Sequence, residues 1–305
     1  MNLFSQIRST ISAPDKIFLE TGTGATITYR DMLARSAQIA NVLVARGVKP
    51  GDRVAVQVEK TPENLLLYLA SLRAGAVYLP LNTAYTLAEL DYFIGDAEPS
   101  LIVCDPSKQA GLAEIASKHG IRAVETLDAS GKGTLTEAAA KASPEFSDAT
   151  RTSSDLAAIL YTSGTTGRSK GAMLTHDNLA SNAQTLVEYW HFTDKDVLLH
   201  ALPIYHTHGL FVASNTVMLA GAAMIFLPKF DADGVMRLLP KATAMMGVPT
   251  FYTRLLKVPG LTKAACKHMR LFTSGSAPLL AETHIEFQQK TGHAILERYG
   301  MTETN

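Results

Sequence analysis

The chain has 305 residues, 47% of them apolar, which supplies a large hydrophobic core, in one domain or two, and excludes disorder. Its 28 basic residues balance 28 acidic ones, so the charge favours no nucleic-acid or polyanion partner, and a small-molecule enzyme fits better. The two cysteines, Cys104 and Cys266, lie far apart without metal-ligand spacing and read as reduced cytosolic thiols.

From the N-terminus, Met-Asn-Leu-Phe-Ser-Gln-Ile-Arg turns polar before a signal-peptide core can develop, so a cytoplasmic location is expected. Thr28-Tyr29-Arg30-Asp31 has the form of a capping box, opening a helix that closes at Gly47. Residues 53–58 alternate Val54, Val56 and Val58 as a strand, and Thr61-Pro62-Glu63 then starts a helix with Gly75 past its end. Residues 76–81 read as a strand, 86–96 as a helix with a Thr86/Glu89 capping box, and 101–104 as a strand. The segment 127–154 is rich in alanine, serine and charge and predicts a helix and an exposed connection. Beyond it come a strand at 156–160, a helix at 176–190 and a strand at 197–202. Further helices are expected at 231–239, 249–257 and 279–291, with strands at 244–248 and 269–273. The stretch 210–228 is long and apolar enough to raise a membrane span, but Ser214, Asn215, Thr216 and Gly221 divide it, and a buried helix followed by a strand at 222–227 accounts for it better. No internal repeat is apparent. The alternation predicts an α/β fold of layered, mainly parallel sheets with helices on both faces, in two subdomains of about 1–150 and 151–305.

Between Tyr161 and Gly171 the chain reads Tyr-Thr-Ser-Gly-Thr-Thr-Gly-Arg-Ser-Lys-Gly, directly after a strand. Gly164 and Gly167 let the backbone bring N–H groups close to an anion, Thr162, Ser163, Thr165 and Thr166 add hydroxyls, and Lys170 adds a point charge. This composition reads as a phosphate loop. A Walker loop needs lysine immediately after the second glycine and a hydroxyl after the lysine. Here Arg168 and Ser169 intervene and Gly171 follows, so both mechanistic parts are missing.

Three further segments share one order with this loop: 202–210 (Leu-Pro-Ile-Tyr-His-Thr-His-Gly-Leu), 274–279 (Ser-Gly-Ser-Ala-Pro-Leu) and 299–304 (Tyr-Gly-Met-Thr-Glu-Thr). Each follows a predicted strand, and ligands gather at the carboxyl ends of strands, so all four are expected to meet at one site. Together they resemble the motifs of the adenylate-forming enzymes (acyl-CoA synthetases, adenylation domains and luciferases), over nearly the whole chain. The resemblance implies the large N-terminal domain of such an enzyme, with ATP, Mg²⁺ and CoA as its small-molecule partners and neither nucleic acid nor membrane. It implies that Thr162, Ser163, Gly164, Thr165, Thr166, Gly167 and Lys170 hold the β- and γ-phosphates. Gly275, Ser276, Ala277 and Pro278 would line the adenine pocket, with Glu297 beside it and Tyr299 on the ring. Thr302 would bind the α-phosphate and Glu303 the Mg²⁺, while His206 would gate the acyl pocket near Ser276 and Met301. His191, His200 and His284 read as ordinary histidines, and His208 is left open between the two roles.

Two arginines bear on the acid. Arg298 stands where many members of the family have a small residue, and a guanidinium there suits a second carboxylate; Arg254, on a helix bordering the same pocket, offers a second donor. A short dicarboxylic acid, malonate or methylmalonate, is the expected substrate. An adenylation domain for amino acids would place an aspartate within 247–254, where this chain has no acid, and a Walker-type kinase would release ADP. Ser169 replaces the proline common before the loop lysine. The resemblance also places the ribose-binding aspartate, the hinge and a C-terminal domain with its catalytic lysine beyond Asn305. This chain alone is therefore expected to bind nucleotide and acid with little or no turnover.

Overall fold

The alternation of strand and helix is present in a computed structural model of the protein, which describes residues 2–162 and 168–304. Strands β1 (Ile17–Thr21) and β2 (Thr26–Thr28) form an antiparallel hairpin. Strands β3 (Arg53–Gln57), β4 (Val77–Pro80), β5 (Leu101–Cys104), β6 (Ala123–Thr126), β7 (Leu156–Thr162) and β8 (Lys170–Thr175) make one sheet in the order β6-β5-β3-β4-β7-β8. All its pairs are parallel except β7 with β8. Strands β9 (Val197–His200), β10 (Ala223–Phe226), β11 (Ala244–Gly247), β12 (Leu271–Ser274) and β13 (Ile295–Glu297) join the hairpin in a second sheet, ordered β13-β12-β11-β9-β10-β1-β2 and parallel outside the hairpin.

Each sheet belongs to one compact unit. The first unit comprises Met1–Ser9 and Tyr29–Ala180, the second Thr10–Thr28 and Ser181–Asn305. The division thus falls at Ala180, where the sequence suggests about 150, and residues 10–28 belong with the C-terminal half because β1 pairs with β10.

Local chemistry explains the helix boundaries. Thr61 accepts a hydrogen bond from the Asn64 N–H at 3.1 Å with Pro62 in the first turn, and Gly75 leaves that helix at φ +71°. The Thr86/Glu89 capping box is present in both directions, at 3.4 and 2.8 Å. In β3 the alternation of valines does not mark one wet face, since Ala55 is as buried as Val54 and Val56, as befits a central parallel strand. The sequence did not reveal helix Leu3–Ser9, β1, β2, helix Gln109–Lys118, β6 or β8. Strand β8 lies at a sheet edge with little buried surface, which weakens its apolar signal.

Residues 210–228 run through a π-helical segment, His208–Ser214, then helix Asn215–Leu219, a left-handed turn at Gly221 and β10. Among the described residues no helix is long and apolar enough to cross a membrane. In the second unit, Tyr252, Phe272 and Phe287 pack edge to face, with 5.3 Å between the rings of Tyr252 and Phe287 and 4.9 Å between those of Phe272 and Phe287. The Tyr252 hydroxyl donates to the Thr273 carbonyl at 2.5 Å. This core fixes β12, from which the next segment projects.

Candidate functional site

Because β9, β11, β12 and β13 are parallel, the chain leaves all four at the same edge. The segments that follow them enclose a cavity of about 470 Å³ in the second unit. Its walls come from Leu202 to Gly209 after β9, Val248 after β11, Ser276 after β12, and Arg298, Gly300, Met301 and Thr302 after β13.

The wall after β9 is set by the π-helical segment. The wider turn directs the Gly209 carbonyl to side chains, and His200 Nε2 and Ser214 Oγ lie 2.9 and 3.0 Å from it. His200 is therefore a satisfied core histidine, as the sequence suggests. Gly209 can be nothing larger, for a Cβ there would stand 1.9 Å from the Pro203 carbonyl oxygen. This turn puts His208 inside the protein. Its side chain is 5% exposed, and Nδ1 lies 3.2 Å from Ser276 Oγ. Burial first, and the Arg298 guanidinium second, lower its pKa to about 4, so the ring is neutral near pH 7. His208 Nε2 and Thr207 Oγ1 are buried without a hydrogen-bond partner.

Ser276 has φ +69°, a left-handed conformation costly outside glycine. The His208 contact holds it there. Gly275 lies under the same ring, where a Cβ would come within 3.3 Å of His208 Cε1. Opposite, the Arg298 N–H donates to the Ser274 carbonyl at 2.7 Å, and its guanidinium covers Gly300, whose hypothetical Cβ would be 3.1 Å from it. Burial lowers the pKa of Arg298, yet a guanidinium remains cationic. The cavity therefore presents one positive fork, a serine hydroxyl and two unpaired buried polar atoms, a donor set suited to an anion with several acceptor atoms.

His206, Ser276, Arg298, Met301 and Thr302, all expected in the site, line this cavity. His206 is exposed at its rim, 4.6 Å from the Tyr205 ring. Gly275 is buried behind Ser276, while Ala277 and Pro278 are exposed beyond it. Glu297 accepts the Leu279 N–H at 3.0 Å, Tyr299 is 86% exposed, and Glu303 is exposed. Arg254 does not line the cavity. Tyr252 and Leu255 turn into the core, which leaves Arg254 on the outer side of the helix with its guanidinium 4.7 Å from the Phe230 ring. Thr207 is a residue the motif alone did not single out, and His208 is one it left open. The apolar run Leu210-Phe211-Val212 after them was the signal that the segment turns inward.

In the first unit, Thr162 and Lys170 face each other as the last pair of the β7–β8 ladder, with Lys170 exposed. Ser163, Gly164, Thr165, Thr166 and Gly167 lie outside the described residues. The chain returns from this loop as an antiparallel strand, so the helix that a Walker loop would open is replaced by β8. Among the described residues no group of three or more His, Cys, Asp or Glu gathers as a metal site.

Comparison with known proteins agrees with this geometry. The family model of AMP-binding enzymes matches residues 8–305. The chain is 35% identical to the mitochondrial malonate–CoA ligase of Mus musculus over 297 residues, covering 90% of this chain and 50% of that protein. It is 32% identical to a feruloyl-CoA synthase of an Amycolatopsis species over 283 residues, covering 92% and 55%. Among solved structures, apo MatB from Rhodopseudomonas palustris is 64% identical with a TM-score of 0.98, covering 100% of this chain and 61% of that one. The ATP-bound form of the same protein superposes with a TM-score of 0.97. The chain thus spans about half the length of the curated relatives it matches.

Proposed function

Because the chain belongs to the AMP-binding enzyme family, we propose that the protein carrying it activates a short dicarboxylic acid, malonate or methylmalonate, and passes it to CoA. A carboxylate oxygen attacks the α-phosphorus of ATP and pyrophosphate leaves; the CoA thiol then attacks the acyl carbon, and AMP departs with the bonding electrons. Carboxylates are poor electrophiles, and the mixed anhydride supplies the leaving group.

The observation that carries the substrate assignment is Arg298 on the cavity wall, a half-buried cation that lines the same cavity as Ser276. A purely apolar acid would leave the unpaired buried atoms of Thr207 and His208 without partners. A second carboxylate meets them. The malonate–CoA ligases among the relatives support the same class. In this proposal His206 and Met301 border the acyl group, Thr302 takes the α-phosphate, and Gly275 to Pro278, Glu297 and Tyr299 receive the adenine. Arg254 has no part in it.

The ATP-bound relative supports ATP as the nucleotide; the 162–170 loop is assigned to its outer phosphates by its glycines, hydroxyls and lysine. Mg²⁺ is commonly held by one or two carboxylates together with substrate phosphates, so the exposed Glu303 suffices as its protein ligand. The ion would neutralise phosphate charge when bound. A cytoplasmic location belongs to the same proposal, although the mouse relative is mitochondrial.

The test is product analysis with full-length protein, malonate, ATP and CoA. AMP and pyrophosphate in step with malonyl-CoA support the proposal. ADP would point to a kinase, and turnover of aromatic acids in preference to malonate would favour the activity of the feruloyl-CoA synthase relative.

A further inference from the structure

His200 is the last residue of β9, the middle strand of the second sheet, and stands in register with Phe226 of β10 on one side and Met246 of β11 on the other. Its ring is fully buried and meets the Phe226 ring edge to face at 5.2 Å. For packing alone an apolar side chain would serve here, since a buried polar ring is costly unless its atoms are bonded. A carbonyl can only accept, so the contact of Nε2 with the Gly209 oxygen at 2.9 Å requires the proton on Nε2. The Ser214 hydroxyl donates to the same oxygen at 3.0 Å and lies 3.2 Å from Nε2. Two side chains, one before the π-helical segment and one at its end, therefore converge on a single carbonyl within it.

That carbonyl belongs to the residue directly after His208. The Pro203 carbonyl oxygen stands against the Gly209 Cα, close enough that a Cβ would lie 1.9 Å from it. Gly209 is thus gripped by Pro203 at its Cα and by the His200–Ser214 pair at its carbonyl. A glycine held in this way has lost the conformational freedom that its missing side chain otherwise gives it. The grip directs the His208 ring toward Ser276, whose Oγ is 3.2 Å from Nδ1. Anchoring from a central strand suits a binding site, because groups fixed on a rigid element stay within the narrow tolerance that recognition needs.

We propose that His200 and Ser214 are positioning residues for the acid: by fixing the Gly209 carbonyl they set the His208 ring against Ser276, and through that contact the place of Ser276 in the cavity it shares with Arg298. Neither His200 nor Ser214 lines the cavity, so both act through His208. The proposal rests on the reading of this cavity as the site of a dicarboxylic acid.

In the full-length protein, His200→Phe keeps a ring on Phe226 and removes one donor, and Ser214→Ala removes the other. Each is expected to raise KM for malonate about fivefold, the worth of one net hydrogen bond, with KM for ATP and kcat within about twofold. His200→Gln, whose amide can donate from near the position of Nε2, should restore most of the loss. The deciding measurement is a cycle with His208→Ala. Once the positioned ring is gone, His200→Phe or Ser214→Ala should cost less than about twofold more; losses that multiply in full would show that both act on the fold and not through His208. Unchanged KM for malonate in both single variants also overturns the proposal. Ser214→Ala, the smaller change, decides alone where His200→Phe does not fold. Arg298→Gly separates this claim from the reading it rests on: an altered malonate-to-propionate ratio of kcat/KM with additive cycles sinks the positioning alone, and an unaltered ratio sinks both.

Discussion

His208 Nδ1 lies 3.2 Å from Ser276 Oγ across 68 residues of sequence, and this contact holds Ser276 at φ +69° beside Arg298 on the cavity wall. Asparagine can present an amide nitrogen near the position of Nδ1, whereas alanine cannot. His208→Ala is therefore expected to lower kcat/KM for malonate by about tenfold, the value of one part-buried hydrogen bond and the packing of the buried ring, and His208→Asn should recover part of it. Steady-state kinetics of both variants check this; equal losses would show that the ring's bulk matters and the hydrogen bond does not.

Arg298→Gly should discriminate between acids. Removing one partner of a hydrogen-bonded charge pair costs about 2 kcal/mol or more, roughly thirtyfold at the lower end that suits a half-exposed group. Malonate should lose that factor. Propionate, which has no second carboxylate, should lose far less. The quantity to measure is the malonate-to-propionate ratio of kcat/KM, because a folding defect lowers both values together. An unchanged ratio removes the dicarboxylate assignment and leaves family membership intact.

Lys170→Ala should raise KM for ATP and slow adenylate formation without lowering thermal stability, since Lys170 is exposed at the first position of an edge strand. Pyrophosphate exchange and a melting curve on the same preparation test both halves. A lower melting temperature with unchanged ATP dependence would assign Lys170 to the hairpin alone.

Two buried histidines should make stability depend on pH. In both His176 and His208 the pKa falls to about 4, chiefly through burial, aided by Arg151 and by Arg298 respectively. His176 Nδ1 also accepts the Leu3 N–H at 3.3 Å, a bond that protonation of that nitrogen breaks. The folded pKa lies below the unfolded value of about 6.5, so the contribution is complete above that pH and is lost as the pH falls toward 4. Each histidine contributes at most about 3 kcal/mol by this linkage. Urea midpoints between pH 7.5 and 4.5 should drop for the native protein, with a shallower slope for His176→Asn. Equal slopes would mean that His176 is accessible to protons in the folded state.

Gly209→Ala is expected to be among the most damaging small changes. Its Cβ would meet the Pro203 carbonyl oxygen at 1.9 Å, and backbone cannot yield as a side chain does. Overpacking of this kind costs roughly 1–3 kcal/mol or more, and calorimetry should show the loss with or without nucleotide. A melting temperature equal to that of the native chain would mean that the π-helical turn relaxes freely.

Along the chain, the sequence by itself determined the features whose causes are local. Thr61, Thr86 and Gly75 specify helix ends through bonds and φ values set within a few residues, and the short apolar strands between them specify a parallel α/β architecture. The four motif segments and the family were legible for the same reason, since each motif is a local pattern after a strand; Ser276, Arg298, Met301 and Thr302, taken from these segments, line one cavity. The tertiary structure decided what depends on residues far apart. It joined β1 to β10, so residues 10–28 fell in with the C-terminal half. It turned Arg254 onto Phe230 because its neighbours Tyr252 and Leu255 claimed the core. It also buried His208 against Ser276 and left His206 exposed at the rim, two residues apart in one motif, because the π-helical turn that begins between them rotates one ring inward. Spacing along the chain carries no record of that rotation, which is set by the packing of the buried segment that follows.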